Sequence, residues 1–403
     1  MSGPERVAIV AGPDPGHAFP AFALAEKLAA QGMSYTVWTG PRWRDLAESR
    51  GLDVAELPGL HAEATDDDDD AGAKLSGRAA RMAVALAPVL AARGTELVIS
   101  DVITVAGLWA AELCGIPAIE LSPHPLYAPS RGLPPVGSGL APGHGVRGRL
   151  RDVVLRAASN TSVRVGERQR AAARRGIGLP TASPRPVPRM IATLPALEVA
   201  RPDWPADTHL IGPLLWEPTE TILTPPEGDG PVIMVAPSTA VIGAEDMVSQ
   251  TLAAVRELAV RIPVRVVISS LDSSYAVGSQ AGGPPVVAGL ARQDLLLASA
   301  DVVVCGGGHG MLAKALSAGV PVVTIPGGGD QWELANRVAR QGSGVIIRPV
   351  DSHAIGIAIA SVLDDPDYAN AAERAARSAV DVIDPVHVVR HVHRSSSAPA
   401  PCR

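Results

Sequence analysis

Between Asp301 and Val338 the chain reads DVVVCGGGHGMLAKALSAGVPVVTIPGGGDQWELANRV, and few folds can accommodate that order of residues. An apolar run, Val302–Cys305, stops at a glycine turn, Gly306–Gly308, which opens a helix from about His309 to Ser317. A second apolar run, Val322–Ile325, stops at a second glycine turn, Gly327–Gly329, and the next helix opens with Asp330 and Gln331. Short apolar runs bounded by breakers are expected of parallel strands covered on both faces. Glycine lets backbone N–H groups approach a ligand with no Cβ in the way. The free N–H groups and dipole of a helix N-terminus form an anion site, most often for phosphate. The second turn sets a carboxylate beside an amide, a pairing suited to hydroxyls. Phosphate at one turn and hydroxyls at the next point to a nucleotide-sugar.

The same strand–helix alternation runs through the chain twice, which predicts two doubly wound α/β domains. The first holds strands at Val7–Val10, Tyr35–Thr39, Val54–Leu57, Leu97–Ser100 and Ala118–Leu121, with Met190–Thr193 and His209–Ile211 as its last. Helices fall between them, at His17 to about Ala30, Leu75–Ala92 and Val105–Cys114 among others. Pro123–Gly148 is rich in Pro and Gly, and a loop that long is a lid, a binding loop or disordered. A basic helix over Arg149–Arg175 follows. Residues 1–214 form the first domain, 215–230 (LWEPTETILTPPEGDG) the linker and 231–383 the second domain. A helix over 384–394 and a disordered tail over 395–403 complete the chain. Ligands in such sheets bind outside the carboxyl ends of the strands. His17, Asp101 and both glycine turns lie at such ends, so domains facing across a cleft would gather them.

With 403 residues the chain is long enough for two cores, and 47% hydrophobic against 19% charged residues reads as soluble and globular. A net charge of −6 argues against nucleic acid or an anionic membrane as the main partner. Cys114, Cys305 and Cys402 are far apart and lack metal-ligand spacing, which suits a reduced cytoplasmic protein without disulfides. No signal peptide precedes the first strand. Met82–Ala92 is too short to span a bilayer and Pro88 interrupts it, so no transmembrane segment is expected. A homodimer stays open.

Five motifs in order resemble the GT-B glycosyltransferases of the UDP-glycosyltransferase superfamily, especially the bacterial macrolide and antibiotic type. They are PGHAFPAFALAEKLAAQG; LVISD with AAELCGIPAIELSP; PDWPADTHLIGPL; PVIMVAPST; and GGHGMLAKALSAGVPVVTIPGGGDQ. The resemblance covers nearly the whole chain. It implies metal-independent, cofactor-free transfer of a sugar, with inversion, from a nucleotide-sugar donor to an acceptor, here an apolar small molecule. By resemblance His17 is the general base and Asp101 holds its imidazole. A His titrates near neutral pH, and a carboxylate fixes its tautomer and stabilises the imidazolium. Read without the resemblance, His17 can also be a polar first-turn residue and Asp101 a cap for the next helix. The diphosphate would rest on Gly307, Gly308, His309 and Gly310, with Ser238 and Thr239 opposite. Asp330 and Gln331 would hold sugar hydroxyls, or cap their helix, and Gln293 lies at the family's position near the base. Pro123 and His124 would line the acceptor pocket, together with the acidic loop Asp66–Asp70, the rest of the Pro123–Gly148 segment and the helix after it.

The chain departs from the family pattern at Gly306 (usually His), Met311 (Thr), Lys314 (Glu), Leu334 (Asn) and Leu290 (aromatic). Lys314 in place of the ribose-binding Glu leaves a contact with phosphate open. These changes motivate a second reading, a non-catalytic GT-B protein that binds a nucleotide or apolar ligand. A sugar-nucleotide epimerase of the same fold ranks last, for want of carboxylates to abstract a ring proton. Asp66–Asp70 reads as a solvated acidic loop rather than a metal site, and His387, His391 and His393 as part of a helix packing back on the first domain.

Overall fold

Valine and isoleucine carry most strands, and those at the centre of each sheet, such as LVISD, VIMVA and VVVC, are buried along their whole length. β-Branched side chains fit the pleated, doubly covered surface of a parallel sheet. In the computed structural model, residues 6–62, 70–183, 186–238, 246–271 and 283–397 are described. The first half holds β1 (Arg6–Val10), β2 (Ser34–Thr39), β3 (Val54–Glu56), β4 (Leu97–Asp101), β5 (Ala118–Ser122), β6 (Arg189–Ile191) and β7 (Thr208–Leu210). Its helices are α1 (Pro15–Ala29), α2 (Arg44–Ser49), α3 (Ala71–Ala92), α4 (Ala106–Cys114) and α5 (Gly145–Gly176). The second half holds β8 (Val232–Ala236), β9 (Arg265–Ser269), β10 (Val286–Gly289), β11 (Val302–Cys305), β12 (Val322–Thr324) and β13 (Gly344–Ile346). Its helices are α6 (Met247–Ala259), α7 (Gln293–Leu297), α8 (His309–Ser317), α9 (Asp330–Gln341), α10 (Ser352–Asp364) and α11 (Pro366–Arg377), and α12 (Pro385–Ser397) follows.

The strand orders are β3-β2-β1-β4-β5-β6-β7 and β10-β9-β8-β11-β12-β13, with parallel pairing throughout. Both are doubly wound Rossmann-like sheets, and each reverses direction between its first and fourth strands. Crossovers leave that point to opposite faces and open a crevice at the strand C-termini. β1 and β4 flank the first switch point, β8 and β11 the second. One core packs α1 and α12 on a face of the first sheet, and another packs α3 and α4 on its other face.

Several elements differ from the sequence expectation. Helix α3 starts at Ala71 because Asp70, the last residue of the acidic run, accepts the N–H groups of Gly72 (2.9 Å) and Ala73 (3.1 Å). Asp70 is thus a helix cap rather than a solvated charge; Asp66–Asp69 and Thr239 lie outside the described residues. At 22 residues α3 is apolar enough by length and composition to cross a bilayer, but here Ala79, Met82, Ala83, Leu86 and Leu90 are buried in the core it shares with α4. Trp216, inside the expected linker, packs against Phe19 and Phe22 at 5.2 and 5.0 Å. Helix α12 runs to Ser397, so Ser395 and Ser396 are helical where a disordered tail was expected; their hydroxyls donate to His391 and Val392 carbonyls at 2.9 Å. Residues 398–403 lie outside the described residues.

Candidate active site

β1 ends at Val10, and a turn through Asp14 enters α1 with Pro15 in the first turn. The turn sets His17 third in the helix, its N–H on the Asp14 carbonyl at 2.9 Å. Asp101 closes β4, the strand beside β1, so the switch point brings the two side chains together. His17 Nδ1 lies 2.7 Å from Asp101 Oδ1. The other carboxylate oxygen accepts from Ile103 N (3.1 Å), Thr104 N (3.1 Å) and Thr104 Oγ1 (3.2 Å). Asp101 therefore holds the imidazole and closes the turn before α4, while the cap position of that helix is Val105, with no side-chain cap. A carboxylate only accepts, so neutral His17 carries its proton on Nδ1 and presents Nε2 as a base. Burial alone would push the imidazole down. The Asp101 hydrogen bond and charge, with Asp14 and Asp330 adding to them, outweigh burial and hold His17 above its ordinary value of 6.5.

Two further imidazoles share the cleft. His124, after β5, has Nδ1 2.8 Å from the Pro125 carbonyl and stacks on Tyr127 at 4.3 Å. Burial, and the nearby His17, hold it below its ordinary value. Pro123 beside it is buried. His309 opens α8, and its Nε2 lies 2.8 Å from Thr193 Oγ1 of the first half. Burial keeps it neutral, pushed down to about 3. Asp330, exposed at the start of α9, is felt electrostatically by His17, His124 and Tyr127. The two halves thus converge around His17, His124 and His309.

At the second switch point the backbone is prominent. Gly307 has φ +78°, and a Cβ there would stand 3.2 Å from the Gln331 carbonyl, so glycine is required. Gly308 precedes α8, and no side chain caps that end. Gly310 is exposed in the first turn. Ser238 and Gln331 face each other across the turn: Gln331 Nε2 donates to Ser238 Oγ (3.1 Å) and Gly327 N donates to Gln331 Oε1 (3.0 Å). Asp330 Oδ1 accepts from Gln331 N at 2.9 Å, while the helix cap position itself is Gly329. A Cβ at Gly306 would stand 3.0 Å from Ser238 Cβ, so the space beside Gly306 is taken by Ser238.

Lys314 does not reach toward the glycine turn. Its Nζ pairs with Glu217 Oε1 of the linker (2.8 Å) and donates to Gln293 Oε1 (2.9 Å), while Gln293 N donates to Glu217 Oε2 (3.0 Å). Lys314 and Glu217 border a cavity of about 520 Å³ beside the linker, lined also by Arg50, Trp216, Glu220 and Arg292; His17, Asp101 and Asp330 are not among its walls. Leu334 is fully buried in the second core, and Met311 packs against it.

Sequence reasoning missed the strap that ties the halves together. Gly139 N donates to Glu333 Oε2 (3.0 Å), and Trp332 Nε1 and Arg340 donate to the Ser138 and Gly139 carbonyls (3.2 and 2.7 Å). The Pro/Gly-rich segment thus lies on α9, the helix that carries Asp330 and Gln331. Arg337 pairs with Glu333 at 3.1 Å and donates to the Leu197 carbonyl at 2.9 Å, all within a buried interface. The one local signal was the Glu333–Arg337 spacing on a helix.

Known proteins share this fold and part of the sequence. The erythromycin biosynthesis protein CIII-like C-terminal domain family matches residues 265–394. The 4'-demethylrebeccamycin synthase of Lentzea aerocolonigenes is 27% identical, covering 94% of this chain and 98% of that protein. CalG4, the calicheamicin glycosyltransferase, superposes with a TM-score of 0.70 at 20% identity, covering 98% of this chain and 100% of its own. The Streptomyces sp. SF2575 glycosyltransferase SsfS6 complexed with thymidine diphosphate gives 0.65 at 19% identity, covering 97% and 99%. At such identities the solved structures speak to the fold.

Proposed function

The chain is a glycosyltransferase of the bacterial antibiotic type on the GT-B fold, and on that premise we propose that it moves a hexose from a UDP- or dTDP-sugar to a hydroxyl of an apolar small molecule, such as a polyketide or lipid, with inversion. The observation that carries this reading is the 2.7 Å His17–Asp101 contact at the switch point, with the opposite Asp101 oxygen satisfied by the chain itself. His17 Nε2 takes the acceptor proton as the hydroxyl oxygen bonds to the anomeric carbon. The bond from that carbon to the phosphate oxygen breaks on the opposite face, and the nucleoside diphosphate leaves with the electron pair. Asp101 stabilises the imidazolium so formed.

The leaving diphosphate meets the N–H groups of Gly308, His309 and Gly310, with Gly307 giving the turn its shape and Ser238 opposite. Preorganised donors of this kind are effective because negative charge grows there in the transition state. Asp330 is free to take a sugar hydroxyl, Gln331 braces the two turns, and Gln293 lies toward the nucleoside. Pro123 and His124 border the acceptor. The chemistry calls on no metal or resident cofactor, and a cytoplasmic protein would find its donor as a soluble substrate. The test is a panel of UDP- and dTDP-hexoses against polyketide and lipid hydroxyls, with NMR assignment of the product anomer. An inverted product that disappears with His17→Ala is expected. Retained configuration removes the single-displacement step, and undiminished His17→Ala turnover removes the base.

A further inference from the structure

The net charge of −6 conceals a strong asymmetry. Helix α5 carries nine arginines against two carboxylates, Asp152 and Glu167, a local surplus of seven positive charges. Only Asp152 and Arg174 of its 32 residues are buried. In the N-terminal half Asp152 is turned inward: one oxygen accepts Gly143 N at 2.7 Å and the other is held by Arg151 at 2.7 Å. No exposed carboxylate therefore occurs on α5 before Glu167.

The same half carries an apolar stripe facing solvent. Val146, Leu150, Val153 and Val154 are 85, 60, 51 and 57% exposed. Their spacing of i, i+4, i+7 and i+8 puts them on one face of the helix. At about 100° per residue, Arg147 and Arg149 fall on the two flanks of that stripe. An apolar stripe edged by arginines suits the boundary between phosphate headgroups and acyl chains. The helix contains no aromatic residue, which removes the stacking platforms that single-stranded nucleic acid binding relies on.

We propose that the N-terminal half of α5 docks this protein on an anionic phospholipid surface, with Val146, Leu150, Val153 and Val154 at the acyl boundary and Arg147 and Arg149 on lipid phosphates. Whole-chain charge argued against a membrane surface; the charge that matters is local, because attraction to the surface fades within a Debye length. Helix α5 begins directly after the segment that carries His124 and the strap onto α9. Docking would hold the cleft close to a surface where an apolar acceptor partitions. That consequence rests on the apolar-acceptor reading; the docking itself does not.

The experiment is sedimentation of the full chain with vesicles of phosphatidylglycerol and phosphatidylcholine, and with phosphatidylcholine alone, at low and high salt. Binding only to the anionic vesicles, weakened by salt, is expected. The double variants Arg147→Glu/Arg149→Glu and Leu150→Asp/Val154→Asp should each weaken it by on the order of tenfold or more. All four side chains are exposed, so Tm should hold, and sedimentation is read with neither donor nor acceptor present, which separates loss of docking from loss of transfer. No binding to anionic vesicles, equal binding to neutral ones, or indifference to both variants overturns the proposal. So does a vesicle-free dimer, seen by light scattering, that the Leu150→Asp/Val154→Asp variant dissolves, because the stripe would then belong to a second copy of the chain.

Discussion

The two switch points sit at equivalent places in two similar sheets and are built differently. At the first, side chains define the site: His17 and Asp101 come from adjacent strand ends, and His17 Nε2 has no partner among the described residues. At the second, the polar side chains are satisfied within the protein. Ser238 meets Gln331, His309 meets Thr193, and Lys314 meets Glu217 and Gln293. What remains for a ligand there is backbone N–H at the start of α8, and the carboxylate of Asp330. Side-chain sites are read from residue identity, whereas backbone sites depend on glycine and helix geometry. This explains how positions such as Gly306 and Lys314 can depart from the expected pattern while the α8 N-terminus remains intact.

Replacing the base should have the largest effect. His17→Ala is expected to lower kcat by roughly 10²–10⁴-fold with nucleotide affinity little changed, because general-base catalysis contributes about that much; steady-state kinetics beside a nucleotide titration checks both. Asp101→Asn tests whether the carboxylate sets the proton affinity of His17. In the native protein kcat/KM should rise with pH through a value above 6.5, as the imidazole loses its proton. Without the carboxylate the largest raising influences are gone and only the more distant Asp14 and Asp330 oppose burial, so the acid limb should move to lower pH as the maximal rate falls. The linked stability has the opposite pH sense: the His17–Asp101 contribution is fully present below pH 6.5 and is lost as pH rises through the raised value.

Two smaller effects probe the second switch point. Lys314→Met leaves Glu217, 12% exposed, without its cation, and should destabilise the protein by about 1–3 kcal/mol in denaturant unfolding. Adding Glu217→Gln should recover most of that loss, and failure to do so would mean the pair is not the relevant contact. Gly307→Ala forces a Cβ onto a left-handed backbone and should cost about 1–2 kcal/mol, with weaker nucleotide binding. Unchanged affinity for UDP and dTDP would show that this turn does not shape the phosphate site.

Much of this was legible in advance because it is local. Val302–Cys305 and His309–Ser317 run as expected to the residue, since an apolar run, a glycine turn and a helix each follow from short-range sterics and burial. The His17 and Asp101 positions followed from where β1 and β4 end. The start of α3 was missed by four residues because Asp70 was counted among a run of charges, when its position made it a cap. The Pro123–Gly148 segment reads in sequence only as a lid, a binding loop or disorder because its partners, Glu333, Trp332 and Arg340, lie about two hundred positions away.

Residue order alone thus determined two doubly wound sheets, their strand ends and the backbone turn before α8, because strand burial, glycine freedom and helix termini act over a few neighbours. Only the tertiary structure decided which polar groups remain available to a ligand. Lys314 reads as a free cation until Glu217 of the linker is placed beside it, and Gln331 as a hydroxyl-binding amide until Ser238 and Gly327 meet it. Hydrogen bonds and ion pairs form at about 3 Å whatever the separation in sequence, so their partners are settled when the two halves pack.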